Sequence, residues 1–196
     1  MERLKGSQTL LNLMKAFAGE SQARNRYTFY AKTAYKEGHR YLHDIFLETA
    51  DNEYAHAKLF FQYLCNDLTN GTIPVSTEYP IGLYKTHENL LYAAAGENEE
   101  FTTVYPTFEK VAREEGFLDI AGTFKMITEV EKHHEERFMT LANDLKNETL
   151  FKKQEKVYWK CIHCGHVHYG TDAPEVCPLC KHPQGYFYVV KDPVMD

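Results

Sequence analysis

The chain predicts a mostly α protein: a four-helix bundle with one long crossover, followed by a small, cysteine-clasped, β-rich domain. Three observations point there. Apolar residues recur at three- and four-residue spacing in four long stretches of the first 148 residues, the period of an amphipathic helix. A pattern of Ala-Gly-Glu followed by Glu-x-x-His occurs twice. It appears as Ala18-Gly19-Glu20 with Glu53-x-x-His56, and again as Ala95-Gly96-Glu97 with Glu131-x-x-His134. Finally, two Cys-x-x-Cys pairs lie near the C-terminus, in a segment rich in His, Pro, Gly and Tyr.

Taken in order, Ser7 is a suitable N-cap for a first helix running to about residue 37 and closed by Gly38. Its stripe is Leu13, Phe17, Glu20, Ala23, Tyr27, Ala31 and Ala34. A second helix, about 41–68, carries Ile45, Thr49, Glu53, His56, Phe60 and Leu64 on one face and ends at Asn70-Gly71. Residues 70–85 hold Pro74, Pro80 and two glycines, a connection too long for a tight helical turn. Such a crossover belongs to ferritin-like bundles more than to simple up-down ones. The third helix, about 86–115, contains Pro106, which should remove a hydrogen bond and kink it near residues 102–106. The fourth, about 118–147, turns Phe124, Ile127, Glu131, His134, Phe138, Leu141 and Leu145 inward. An offset of 78 relates Gly38 to Gly116, Glu53 to Glu131 and Phe60 to Phe138, so the bundle reads as a duplicated helical hairpin.

Composition changes after Asn147. Residues 149–156 are polar and lysine-rich and read as a linker; 157–159 and 186–190 are short β-type runs. The expected domains are therefore 1–148 and 157–190, the second too small to be held by an apolar core alone.

A hydrophobic share of 43% is globular. The net charge of −6, with no basic run, argues against nucleic acid. No apolar stretch approaches the length of a membrane span, and the N-terminal residues lack a signal-like apolar core. With four of the five cysteines in Cys-x-x-Cys pairs, a reducing cytoplasm is the expected location. Cys65, the fifth, reads as a small packed core residue.

Residues three apart on a helix face the same way, so Glu53 with His56, and Glu131 with His134, can each grip one metal. Glu20 and Glu97 come from the other two helices. One isolated Glu-x-x-His is usually a solvated helix face. Here every such residue falls on an apolar stripe, where unpaired polar groups are costly, and the spacing repeats. Four carboxylates and two imidazoles neutralise two divalent ions and suit Fe or Mn.

Glu100 breaks the symmetry: it lies three residues after Glu97, where the first half has Ala23. A fifth carboxylate is surplus to a divalent pair but useful once the metals become more positive. Glu99 beside it reads as solvated. Tyr27 and Tyr105 lie about two turns beyond Glu20 and Glu97. Each could bond a ligand carboxylate or a bound oxidant, or simply be a satisfied core hydroxyl; position alone leaves both open.

Cys161-x-x-Cys164 and Cys177-x-x-Cys180 form two knuckles that can hold one tetrahedral ion, Zn or Fe on this pattern. The neighbouring His163, His166, His168 and His182 read as surface residues, because the thiolates complete the shell.

Through these residues, together with Trp159 and Gly165, the chain resembles the rubrerythrins over about residues 5–190. No iron-ligand position of that family's pattern is missing. The resemblance implies a ferritin-like bundle with two Fe ions in an oxo-bridged di-iron centre, and a rubredoxin-like domain with one Fe on four cysteines (Zn in some preparations). It implies an NADH-linked peroxidase that reduces hydrogen peroxide to water and protects against oxidative stress. Glu20, Glu53, His56, Glu97, Glu100, Glu131 and His134, with Tyr27 and Tyr105, would form the catalytic centre. One iron would exchange His56 for Glu100 on oxidation. Electrons would arrive from a rubredoxin or its NADH-dependent reductase, within a homodimer whose subunits feed each other. Ferritin-like iron storage, or a non-catalytic metal-binding protein with Zn on the cysteines, are the competing readings. Storage requires neither the cysteine domain nor Glu100.

Overall fold

The computed structural model describes residues 3–68 and 70–192. Its order is α1 (Gln8–Lys36), α2 (Arg40–Asp67), α3 (Thr86–Glu99), a π turn (Glu100–Val104), α4 (Tyr105–Glu114) and α5 (Leu118–Lys146). Strands β1 (Lys152–Cys161), β2 (Val167–Asp172) and β3 (Phe187–Val190) follow. The chain is thus mostly helical, with a small sheet at its C-terminal end. No helix among the described residues is long and apolar enough to cross a membrane.

Local chemistry sets the helix ends. The Ser7 hydroxyl accepts from Leu10 N at 3.1 Å and caps α1. Gly38 and Gly116 close the two hairpins in the left-handed region, at φ +86° and +84°, where a side chain would be strained. The crossover lacks regular structure and is tied to the bundle by polar contacts. Tyr79 Oη donates to Lys15 O at 3.1 Å, and Glu37 Oε2 accepts from Thr86 N at 3.0 Å, placing a carboxylate on the start of α3.

The third helix is not a kinked α-helix as expected. Its middle widens into a π turn in which Tyr105 N–H reaches back to Glu100 O. Pro106 has no N–H to return to Thr102, so the ladder relaxes by one residue instead of breaking. The repeat records that residue: the offset between halves is 77 at Glu20 and Glu97, but 78 at Tyr27 and Tyr105.

The predicted stripes face inward. They build two apolar layers, one around Tyr30, Phe46, Leu90 and Phe138, the other around Leu13, Phe60, Ile120 and Phe124. Between the layers lies a band of buried Glu and His. Each layer contributes one tyrosine to it, Tyr27 from the first and Tyr105 from the second.

The C-terminal sheet has the order β2-β1-β3, antiparallel throughout. Residues 152–156, expected as linker, are the start of β1, and Phe151 touches the cores on both sides. Strand β2 was not expected, because its run, with two Tyr/His positions and Gly170, has little apolar alternation. The sheet docks on the α1–α2 turn: Tyr188 stacks on Tyr41 at 5.5 Å, and Arg40 lies 5.9 Å from the Tyr186 ring. Cys65 is exposed, which corrects its assignment to a core.

Candidate metal centres

Helices α1, α2, α3 and α5 bring Glu20, Glu53, His56, Glu97, Glu131 and His134 together at the bundle's centre. Exposure is 0% for Glu20 and Glu131 and rises only to 8% at His56. Two overlapping groups form, Glu20/Glu53/His56/Glu131 and Glu53/Glu97/Glu131/His134, each with ligand atoms within 4.8 Å of one another. Glu53 and Glu131 belong to both. His56 Nδ1 lies 3.0 Å from Glu53 Oε2 and 3.0 Å from Glu131 Oε1. His134 Nδ1 lies 3.2 Å from Glu53 Oε1 and 2.8 Å from Glu131 Oε2. Each of these carboxylates thus offers one oxygen to each half of the site, the geometry of a bridge.

The inward-facing atoms test whether a metal pair fits. Both oxygens of Glu53 and Glu131, Glu20 Oε2, Glu97 Oε2, and Nδ1 of His56 and His134 are buried without a hydrogen-bond partner. Eight such atoms converging in a core would be a heavy desolvation burden unless positive charge, a metal ion's or an imidazolium's, compensates it there. Mixed carboxylate and imidazole donors suit iron.

Electrostatics agrees. Burial alone would lower both imidazoles, but the Glu131 and Glu53 carboxylates overcome it and hold His56 at about 10 and His134 at about 9. Burial, reinforced by the neighbouring carboxylates, pushes Glu20 and Glu97 well above the usual range. For Glu53 burial acts upward too, but His134 and His56 outweigh it and bring the carboxyl down.

The tyrosines engage across the two hairpins. Tyr27 Oη donates to Glu97, and Tyr105 Oη donates to Glu20. Burial and the adjoining carboxylates raise both phenols well above their ordinary range, so they remain protonated donors.

Glu100 lies outside both groups. It sits half-buried on the π turn, and burial, then Glu131 and Glu53, push its carboxyl well above the usual range. It lines a cavity of about 340 Å³ between α1, the π turn and the crossover. Glu99 is exposed, as expected.

Sequence reasoning missed Asn52, whose Oδ1 lies 3.2 Å from His134 Nε2. That contact fixes the ring so that Nδ1 faces inward. No periodicity signals a lone Asn beside a ligand Glu.

The four cysteines also converge. Cys161 and Cys177 are buried; Cys164 and Cys180 are partly exposed. Sγ separations are 3.7 Å for Cys161–Cys180 and 3.6 Å for Cys164–Cys177. A disulfide is far shorter, whereas a tetrahedral ion with metal–sulfur bonds of about 2.3 Å needs edges near 3.8 Å. Burial raises the Cys177 thiol, but the amides of Cys180 and Leu179 outweigh it and bring it down to about 7. Trp159 is fully buried beneath the site and donates to Gly170 O at 3.0 Å. None of the four nearby histidines joins a metal group among the described residues; His163 and His182 stack on each other at 3.9 Å.

Comparison with known proteins agrees with both sites. Residues 12–142 match the family model "Rubrerythrin", and 159–188 match "Rubrerythrin, rubredoxin-like domain". Rubrerythrin-1 of Clostridium acetobutylicum is 50% identical over 193 residues, covering 98% of this chain and 99% of that protein. A structure of fully reduced, all-ferrous nigerythrin aligns with a TM-score of 0.64 at 29% identity, covering 95% of this chain and 91% of that one. Desulfovibrio desulfuricans bacterioferritin aligns at a TM-score of 0.62 and 21% identity, covering 76% of this chain and 86% of that one, which shows the ferritin-like fold. Taken with these likenesses, the two donor sets are a di-iron carboxylate site and a four-cysteine, rubredoxin-like site.

Proposed function

The chain belongs to the rubrerythrin family, and from that premise we propose that it is a peroxidase reducing hydrogen peroxide to water, with electrons passing through its four-cysteine centre. Iron held by the bundle carboxylates and histidines would supply an electron pair for the O–O bond, and iron held by the four thiolates would supply the single electrons that restore it. Glu53 and Glu131 would bridge, while Glu20 with His56 and Glu97 with His134 would complete the two halves. Tyr27 and Tyr105 would hold Glu97 and Glu20 in place through their hydroxyls.

The observation that carries this reading is the position of Glu100. Six ligands are closed inside the bundle, whereas this carboxylate waits beside them on a π turn, facing a cavity. A storage site gains nothing from a spare ligand. A centre that alternates between two oxidation states gains a carboxylate for the more positive one. His56 is the group suited to give way. His134 is anchored by Asn52, but the position related to Asn52 by the 78-residue offset is Val130, which offers His56 no such anchor.

A homodimer in the cytoplasm is part of the same proposal. The cysteine sheet docks at the α1–α2 turn, and Glu53 lies about 20 Å along α2 from Arg40 at the helix rise. A second copy would supply a shorter electron path. A rubredoxin, or an NADH-dependent reductase of rubredoxins, is the proposed donor, and protection from oxidative stress the proposed role. Rapid mixing of the reduced protein with hydrogen peroxide tests the reaction: oxidation should be prompt and much faster than with dissolved oxygen. Equal rates with the two oxidants would count against it.

A further inference from the structure

We infer that the cavity beside Glu100 is a binding site for alkyl hydroperoxides, so that the chain reduces organic hydroperoxides as well as hydrogen peroxide. This rests on the peroxidase reading and names a second substrate class for the same site.

The cavity is larger than hydrogen peroxide requires. It holds about 340 Å³, whereas a water occupies about 30 Å³ of liquid volume and ligand pockets begin near 300 Å³. Glu100 and Tyr105 are among its lining residues, the second of which bonds to Glu20. Its walls are largely apolar, with Tyr79 and Pro80 on the crossover and Val104 and Phe108 across from them. A cavity with mostly apolar lining surface that also reaches two groups beside the reactive centre suits a molecule with a hydrocarbon tail and an oxygen-rich head.

The polar equipment fits a neutral head. Arg26 lines the cavity, and its Nη1 is buried with no hydrogen-bond partner; its Nε is committed to Gln22 Oε1 at 2.6 Å. Nη1 itself has no exposed surface, so the guanidinium as a whole, which lines the cavity, is the cationic donor group available to a hydroperoxide oxygen. A carboxylate ligand fits less well, because Glu78 and Glu99 already balance Lys15 and Arg26 around the same space.

The repeated Ala-Gly-Glu motif also finds its reason here. Gly19 and Gly96 both border the cavity. A Cβ at 19 would stand 3.8 Å from the Tyr79 ring and 4.0 Å from Glu100 Oε1, and one at 96 would stand 3.6 Å from Arg26 Nη2. These are ordinary contacts, so glycine is not forced by packing at either place. It leaves room.

In the reaction the hydroperoxide takes up two electrons and two protons, its O–O bond breaks, and the alcohol and one water leave. The electrons come from the same one-electron donor that serves hydrogen peroxide reduction, and the protons from solvent.

The test uses the iron-loaded protein with hydrogen peroxide and cumene hydroperoxide in parallel, and cumyl alcohol as an unreactive probe. Both oxidants should be reduced. The Tyr79→Ala variant should lower kcat/KM for cumene hydroperoxide about tenfold, through KM, relative to its effect on hydrogen peroxide. Ligand-observed NMR should show cumyl alcohol broadened by the wild type and much less by Tyr79→Ala. Turnover of hydrogen peroxide alone, with no cumyl alcohol binding, would overturn the inference and leave the peroxidase reading standing. Failure with both oxidants would overturn the peroxidase reading and this inference with it, whether or not the alcohol binds.

Discussion

Asn52 Oδ1 holds His134 Nε2 at 3.2 Å, while Val130 occupies the pseudo-equivalent position opposite His56. The two imidazoles therefore differ in freedom although their carboxylate surroundings match. Asn52→Ala should weaken metal binding at the His134 half by roughly 10- to 100-fold, the usual effect of losing an outer partner of a ligating histidine. Competition with a graded series of chelators measures this, and an unchanged affinity would remove Asn52 from any supporting role.

Tyr27 and Tyr105 each donate to a carboxylate of the opposite hairpin. Both hydroxyls are buried, so replacing either by Phe leaves a buried acceptor without its donor. Tyr27→Phe and Tyr105→Phe should each destabilise the metal-free protein by about 1–3 kcal/mol. Denaturant unfolding reads the difference. Because both carboxylates belong to one coupled cluster, the double variant should depart from additivity.

Those hydroxyls also show what could be read from residues alone. The stripes of α1, α2 and α5 are legible because 3.6-residue periodicity is a direct image of burial, and five of the six ligands stand on them, with Glu97 on α3. The π turn is not, since a helical template assumes constant pitch. Its trace is arithmetic: Tyr105 follows Glu97 by eight residues where Tyr27 follows Glu20 by seven. Cys65 is exposed because it lies about 100° around α2 from the buried Leu64. Asn52 acts through a tertiary contact that leaves no local pattern. Docking of the sheet on the α1–α2 turn depends on Gly185, whose role shows only where two backbones meet.

Gly185 packs so closely on that turn that a Cβ would stand 1.8 Å from Gly38 O. Neither partner is a flexible side chain, so something must move. Gly185→Ala should cost about 1–3 kcal/mol or more and lift the sheet from the bundle. The cysteine site, whose own core is Trp159, Cys161, Cys177 and Phe187, should keep its metal and visible spectrum. The expected signature is faster protease cleavage near residues 147–151 with unaltered absorption. Retained protease resistance would show that the turn yields instead.

The metal-free protein should lose stability as pH rises. Its folded His56 and His134 lie at about 10 and 9 against an ordinary 6.5, so the folded state binds more protons than the unfolded one. Their contribution is complete below about pH 6.5 and disappears as pH passes through 9 to 10. Glu20 and Glu97, raised by burial and their carboxylate neighbours, act in the same direction from the ordinary carboxylate range upward. Glu53, held low mainly by the two imidazoles against the upward push of burial, opposes them only in acid. Metal ions must displace the imidazole protons, so their affinity should climb over the same interval in which the metal-free fold weakens. Thermal unfolding of the metal-free protein between pH 6.5 and 10 should give a falling Tm, while the metal-loaded protein should be nearly level. A metal-free Tm that rises across this range would mean that the imidazoles are neutral in the folded bundle.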